Sequence, residues 1–515
     1  MKISYYMFSA REWIKLHLIQ VVLFLSVSLS IILHSYVFGY YISPDSTNYM
    51  HEALALLSGH GFNMLGPNGG YSYFSHFPIG YPLCIALVTF LTQTNVYLAS
   101  KILTLLTVLL IHIIFYYRFK SNAWVFCLIT INYQFLNVIF RYTWSEQLFI
   151  LGLIWLAFSV YDIMSKQTPN VLNYLSLGLS AVFVFMIRYL GGFSIGVIGL
   201  LGLVLGYQYL HTRTKIDLKK VIFTFGTCAF SSLCIGLYLL HNYIHTGQFI
   251  RSVPSINPMG IVDFVKAVIY TNVQQMQNVF QIFVTPSYAV SILLWIGFFI
   301  LICISIFKYR KDLSPILLPL IFITIGGLYI LAIFYPCFTQ GSVELERYFF
   351  PSTILFTIGF IGILLNNKLV VNIVNRINSS NLRYVVAVVI CFVLFFTPVY
   401  GIAMGNINYE SGYPAFEERY LSKYDDVSFD SSLVLWTDEN MDNKHYKYLR
   451  PDLTFLNPSD TTTYTHLQSI FEKYQHVYVD TDAFNQKLSK YSYDASIVDA
   501  FSTYLDKSIG IIPIK

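Results

Sequence analysis

The stretch Gly39–Phe62, GYYISPDSTNYMHEALALLSGHGF, follows a long apolar run and carries a lone carboxylate, Asp45, near its start. Beyond that acid, Tyr49, Met50, Ala53, Leu54, Leu56 and Leu57 fall on helical spacing with polar residues opposite, and Gly59 stops the pattern. The spacing predicts a helix lying along a membrane surface directly outside a span. It places an acid at headgroup depth, and the rest of the chain bears on why.

The composition makes the membrane explicit. Of 515 residues, 56% are hydrophobic, 17% aromatic and only 11% charged, with mean hydropathy +0.58. Soluble domains carry roughly a quarter charged residues, so this is a polytopic membrane protein. Charge is unevenly spread. From Gly405 onward there are 10 Lys/Arg against 17 Asp/Glu, leaving 22 basic and 10 acidic residues before it. The division predicts a membrane module over 1–404 and a separate extracytoplasmic unit over 405–515. In that tail SLVLWT, LTFLN, HVYVD and IGIIPI read as strands, and TTYTHLQSIFEKYQ as a helix, which together argue for a small α/β domain. The seven cysteines lie in or beside apolar runs and none falls in the tail, so no disulfide framework is implied there.

A span needs roughly 20 apolar residues. On that rule eleven are expected: His17–Tyr41, Asn95–Tyr117, Ala123–Phe140, Ser145–Ile163, Val171–Ile187, Leu190–Leu205, Val221–Tyr243, Tyr288–Phe307, Ser314–Tyr335, Phe349–Leu365 and Tyr384–Ala403. The first is too long for a signal peptide and has no small-residue cleavage site, so it reads as retained. Lys and Arg concentrate in one alternate set of connections, which makes the N-terminus cytoplasmic and, with an odd span count, the tail external. Two outer connections are long, 42–94 and 244–287. The second contains IVDFVKAVIYTNVQQMQNVFQ, another candidate surface helix.

Ionisable groups at the ends of apolar spans are costly there and mark function. Four face the outer side: Asp45, Glu146, Arg188 and Arg347. Each has a plain structural reading too. Asp45 could cap a helix, Glu146 could meet a helix dipole, Arg188 could snorkel, and Arg347 could pair locally with Glu344 or Glu346. As a set they suit transfer of a sugar delivered on a lipid phosphate. Asp45 would deprotonate the attacking hydroxyl, while guanidinium groups would stabilise the departing phosphate. Lys101 is a further phosphate-binding candidate, and Tyr49, His76, Tyr189, Glu344 and Glu346 are candidate substrate contacts. His51, His60 and His76 share a loop but match no metal-site spacing, so a divalent metal has little support and no cofactor is firmly implied.

Six short stretches, PDSTNYMHEALALLSGHGF, HFPIGYPLCIAL, WSEQLF, MIRYLGGF, HNYIHTGQF and ERYFFPS, together with the layout of the whole chain, resemble the GT-C superfamily of membrane glycosyltransferases. That superfamily includes the protein mannosyltransferases and the aminoarabinose transferases of lipid A. The resemblance implies Asp45 as catalytic carboxylate, Glu146 as assisting acid and Arg347 as the group facing the lipid phosphate. It also implies a polyprenyl-phosphate sugar donor and a lipid, glycan or protein acceptor, among membrane lipids and without nucleic acid. A bacterial cytoplasmic membrane is the expected location. The chain departs from many relatives in having Ser46, not a second acid, after Asp45, and no outward D-x-D among its spans. The rival readings are a lipid-linked sugar flippase or other transporter, and a polysaccharide polymerase or ligase.

Overall fold

The structure, a computed structural model, describes residues 17–37, 39, 41–65, 71–132, 135–250, 259–277, 287–340, 345–403, 432–435, 453–456, 464–472, 474–480, 495–505 and 511–513. Its α-helices run α1 (Leu18–Ile32), α2 (Pro44–Leu57), α3 (Gly80–Thr92), α4 (Val96–Phe119), α5 (Ala123–Cys127), α6 (Glu146–Ser165), α7 (Val171–Ile187), α8 (Phe193–Thr212) and α9 (Lys215–Thr246). They continue with α10 (Ile261–Gln277), α11 (Tyr288–Lys308), α12 (Ser314–Gln340), α13 (Leu345–Leu364), α14 (Lys368–Ser379), α15 (Leu382–Ala403), α16 (Tyr464–Phe471) and α17 (Ala495–Leu505). An antiparallel hairpin of β1 (Asn63–Leu65) and β2 (Tyr71–Tyr73) lies between α2 and α3.

Among the described residues, eight helical segments are long and apolar enough to cross a membrane. The chain is an integral membrane protein. Two further apolar helices, Gly80–Thr92 and Val171–Ile187, are shorter, and α15 opens with the apolar run Leu382–Phe392. The sets of expected and observed apolar helices differ in membership. Ala123–Phe140 is not one helix. It breaks into α5, a 3-10 turn over Leu128–Ile131 and a π turn over Phe135–Ile139. At the break Asn132 is extended, and its amide donates 2.8 Å to the Gln275 carbonyl of α10. Apolar content alone could not reveal that an asparagine side chain would be used between helices. Conversely, α3 lies inside what reads as an outer loop. It is 13 residues long, too short to be found by a 20-residue rule.

Helices α2 and α10 form where the surface-helix patterns fall. The start of α2 differs in one detail that matters for the site. Ser43, not Asp45, is the N-cap, with its hydroxyl accepting from the Ser46 N–H at 3.2 Å. Pro44 takes the first helical position, where its missing N–H costs nothing. Asp45 is thereby left without capping duty. Helix α14 falls where the sequence reads as a basic connection; its Val374 packs inward while Leu369 and Ile373 stay exposed. Trp124 ties it down by donating 2.9 Å to Asn378.

In the tail, β3 (Ser432–Leu435) pairs in parallel with both β4 (Leu453–Leu456) and β5 (His476–Asp480). A fourth strand, β6 (Ile511–Pro513), joins β5 antiparallel, giving the order β4-β3-β5-β6. All four strands fall within the runs read as strands in the sequence, and α16 falls within the helical run.

Two glycines fix the turn that carries Arg188. A Cβ on Gly191 would collide with the Val184 carbonyl of α7, and one on Gly80 with the Met186 carbonyl. Both let backbone pack on backbone at the end of α7. Gly191→Ala should therefore destabilise the protein by about 1–3 kcal/mol through overpacking. Gly196→Ala, where open space surrounds the added methyl, should leave the thermal midpoint of the detergent-solubilised protein unchanged. Equal midpoints for the two variants would contradict this packing account.

Candidate active site

Four helix ends converge on one cluster of charges. Asp45 is the second residue of α2, Glu146 the first of α6, and Arg347 lies in the first turn of α13. Arg188 sits between α7 and the 3-10 turn Tyr189–Gly192. Arg347 pairs through Nη1 with Asp45 Oδ2 at 2.5 Å, and through Nε with Glu146 Oε1. Arg188 pairs through Nη1 with the same Glu146 oxygen. Two guanidinium groups thus share one carboxylate oxygen, while Glu146 Oε2 is buried with no hydrogen-bond partner among the described residues.

Exposure separates the roles. The Glu146 side chain is 1% exposed and Arg347 9%, but Asp45 is 29% exposed. Glu146 is the anchor of the network, and Asp45 is its open end. Two acids and two arginines balance formally, as burial demands: an unpaired charge at this depth would cost several kcal/mol.

The surroundings position the arginines. Arg347 lies over the Trp144 ring at 4.0 Å, and Trp144 stacks on Tyr142 with centroids 4.4 Å apart. The Trp144 N–H also donates 2.7 Å to Ser43 Oγ, the cap of α2. One indole therefore holds both the cation and the helix that presents Asp45. Arg188 reaches Ser145 Oγ at 3.4 Å and lies over the Tyr348 ring at 5.3 Å. Tyr49, one turn after Asp45, shares a 2.9 Å hydrogen bond with Ser145. Burial pushes its phenol above the ordinary value, so it takes part as a neutral group.

The other candidates are placed differently. Lys101 is buried on α4, donates to the Arg141 carbonyl and lies over the Tyr97 ring. The Tyr189 hydroxyl donates 3.0 Å to the Ser75 carbonyl and accepts from Asn242. His76 packs edge-on against Phe77. The Glu346 side chain is exposed, and its carbonyl accepts from the Gln275 amide. Glu344 lies outside the described residues. No group of three or more metal-ligating side chains is placed to hold an ion among the described residues.

Trp144, Ser145 and Ser43 were missed in the sequence. Trp144 stands two residues before Glu146, so WSE was already a quoted motif. Nothing in its spacing, however, says that the indole would face an arginine from the other end of the chain.

The fold is shared with solved membrane-protein structures of low sequence identity. The structure is similar to that of ArnT from Cupriavidus metallidurans bound to undecaprenyl phosphate, with TM-score 0.53 and 12% identity, covering 94% of this chain and 96% of that one. It also matches the archaeal oligosaccharyltransferase AglB from Archaeoglobus fulgidus, in complex with an inhibitory peptide and a dolichol-phosphate. There the TM-score is 0.44 and the identity 11%, covering 91% of this chain and 70% of that one. No protein-family model matches the sequence, and no curated protein does.

The network makes a stability prediction. Arg347→Met removes one partner from each carboxylate and should cost about 3–5 kcal/mol, the usual penalty for breaking a buried pair. Adding Glu146→Gln should cost less than the two single changes summed, because the stranded charge disappears with it. A double-mutant cycle read by denaturation in detergent tests this; strict additivity would mean that the two groups do not interact.

Proposed function

We propose that the chain is a membrane glycosyltransferase that moves a sugar from a polyprenyl-phosphate donor to an acceptor at the non-cytoplasmic face. The observation that carries the reading is the convergence of Asp45, Glu146, Arg188 and Arg347 in a GT-C fold. ArnT, the structural neighbour, binds undecaprenyl phosphate. That supports a lipid phosphate as a ligand for the two arginines.

In the proposed reaction, Asp45 accepts the proton of an acceptor hydroxyl as its oxygen attacks the anomeric carbon. The bond from that carbon to the phosphate oxygen breaks, and its electron pair leaves with the lipid phosphate. Arg347 and Arg188, with Lys101 as a further contact, stabilise the growing negative charge. Asp45 is bonded to Arg347 before reaction. A phosphate that takes up Arg347 releases the carboxylate for its work as base. Glu146 holds both guanidinium groups from behind, so neither is lost during the exchange.

Orientation is part of the proposal. The Arg118–Asp162 ion pair, 2.7 Å, joins the C-terminal ends of α4 and α6, whereas Glu146 opens α6 at its other end. The basic loops and the charge network therefore occupy opposite ends of these helices. By the positive-inside bias the network faces outward, the N-terminus is cytoplasmic and residues 405–515 form an extracytoplasmic unit, in a bacterial cytoplasmic membrane.

Asp45→Asn tests the reading. In proteoliposomes supplied with a radiolabelled polyprenyl-phosphate sugar, transfer should fall by about 10²–10⁴ while donor binding persists. A flippase or other transporter would keep moving its substrate with this substitution, and that result would overturn the proposal.

A further inference from the structure

Glu52 takes no part in the charge network, yet it is 1% exposed on the helix that carries Asp45. Seven residues, two helical turns or roughly 10 Å, separate the two acids along α2. Glu52 Oε2 has no hydrogen-bond partner, and the residue forms no ion pair among the described residues. Burial pushes its carboxyl well above the usual carboxylate range. It therefore stands as a neutral acid, able to donate one hydrogen bond and accept others.

The environment is polar, aromatic and built. Tyr73, Tyr189 and Tyr238 stand within electrostatic range of the Glu52 carboxyl. Asn242, fully buried near the end of α9, ties two of them together. It accepts 2.7 Å from Tyr73 and donates 3.0 Å to Tyr189. Tyr189 donates in turn to the Ser75 carbonyl, and Ser75 Oγ is a second buried hydroxyl with no partner among the described residues. Two such buried atoms, Glu52 Oε2 and Ser75 Oγ, call for an explanation, because buried polar groups are nearly always satisfied by protein, water or ligand.

We infer that Glu52, Ser75, Tyr73, Tyr189, Tyr238 and Asn242 form a subsite for the neutral hydroxyl groups of a carbohydrate acceptor. A neutral carboxylic acid, an amide and several phenols offer mixed donors and acceptors beside aromatic faces, which suits a polyhydroxylated ring. None of these six residues is a lysine or arginine, unlike the Arg347 network, although the His241 and His245 rings pack on Tyr73. Tyr189 directly follows Arg188 in the chain, so the two groups are neighbours. An acceptor whose reacting hydroxyl met Asp45 could extend its sugar along α2 toward Glu52. The assignment to an acceptor rests on the proposed transferase reading.

Saturation-transfer NMR on the full chain in phosphatidylethanolamine–phosphatidylglycerol nanodiscs tests it, with the methyl glycosides of glucose, galactose and mannose as probes. At least one neutral glycoside should receive saturation, and methyl glucuronide, the anionic control, should receive none. Glu52→Leu should abolish the signal and Glu52→Gln, which keeps hydrogen-bonding capacity, should retain part of it. Tyr238→Phe should lower it at least threefold, and it decides the matter if Glu52→Leu does not fold. No saturation of any neutral glycoside would mean that internal water satisfies Glu52, and would overturn the inference. So would a full signal in the folded Glu52→Leu or, failing that, Tyr238→Phe variant. The assay contains no lipid-linked donor, so loss of the transferase reading would show in the proteoliposome experiment and not here.

Discussion

One carboxylate oxygen, Oε1 of Glu146, receives both Arg188 and Arg347, and the helix ends around it are organised by that grip. Charges at this depth are tolerable only when paired. The pairing joins segments that the chain separates by up to 302 positions, from Asp45 to Arg347. It fixes the relative placement of α2, α6, the end of α7 and the start of α13. The close backbone approaches at Gly80 and Gly191 serve the same end, holding the Arg188 turn where its guanidinium can reach Glu146.

Much of this was legible in the sequence for physical reasons. Asp45, Glu146, Arg188 and Arg347 interrupt apolar surroundings, and an ionisable group in such a place announces itself by its cost. The surface helix α2 showed in its periodicity. What could not be read is instructive. Ser43, Pro44 and Asp45 could each open a helix, and local preference does not separate a serine cap from an aspartate cap; the structure uses Ser43. The apolar run Ala123–Phe140 satisfied the length rule, but Asn132 spends its amide on α10, a long-range bond with no local signal. The Lys101 ammonium is bonded to the Arg141 carbonyl, a partner that no local pattern announces. Glu52 was hidden among the polar residues of an amphipathic pattern, where an acid normally faces water. Only the packing of other segments over α2 buries it.

Trp144 links the two halves of the site. Its face supports Arg347 and its N–H holds the cap of α2. A cation over an indole keeps its donors free at the ring edge, directed toward the carboxylates. Arg347 can therefore exchange one anion for another without leaving its platform. An arginine held only by carboxylates would have to break its whole support to do so.

Helix electrostatics sharpen the contrast between the acids and Arg347. Asp45 and Glu146 stand in the first turns of α2 and α6, where the helix dipole favours negative charge by about 0.3–1 kcal/mol. Arg347 stands in the first turn of α13, where the same dipole opposes a cation. Its position is wrong for its own helix and right only for the anions it meets. Stability alone would favour a neutral residue there, paired with one fewer acid. A cation kept against its dipole, beside a partly exposed carboxylate, is an arrangement that favours a further anion at that point. In the proposed reaction, a lipid phosphate entering beside Asp45 would offset the dipole that disfavours Arg347 and free the carboxylate to act as base, so the same unfavourable placement would serve both binding and release.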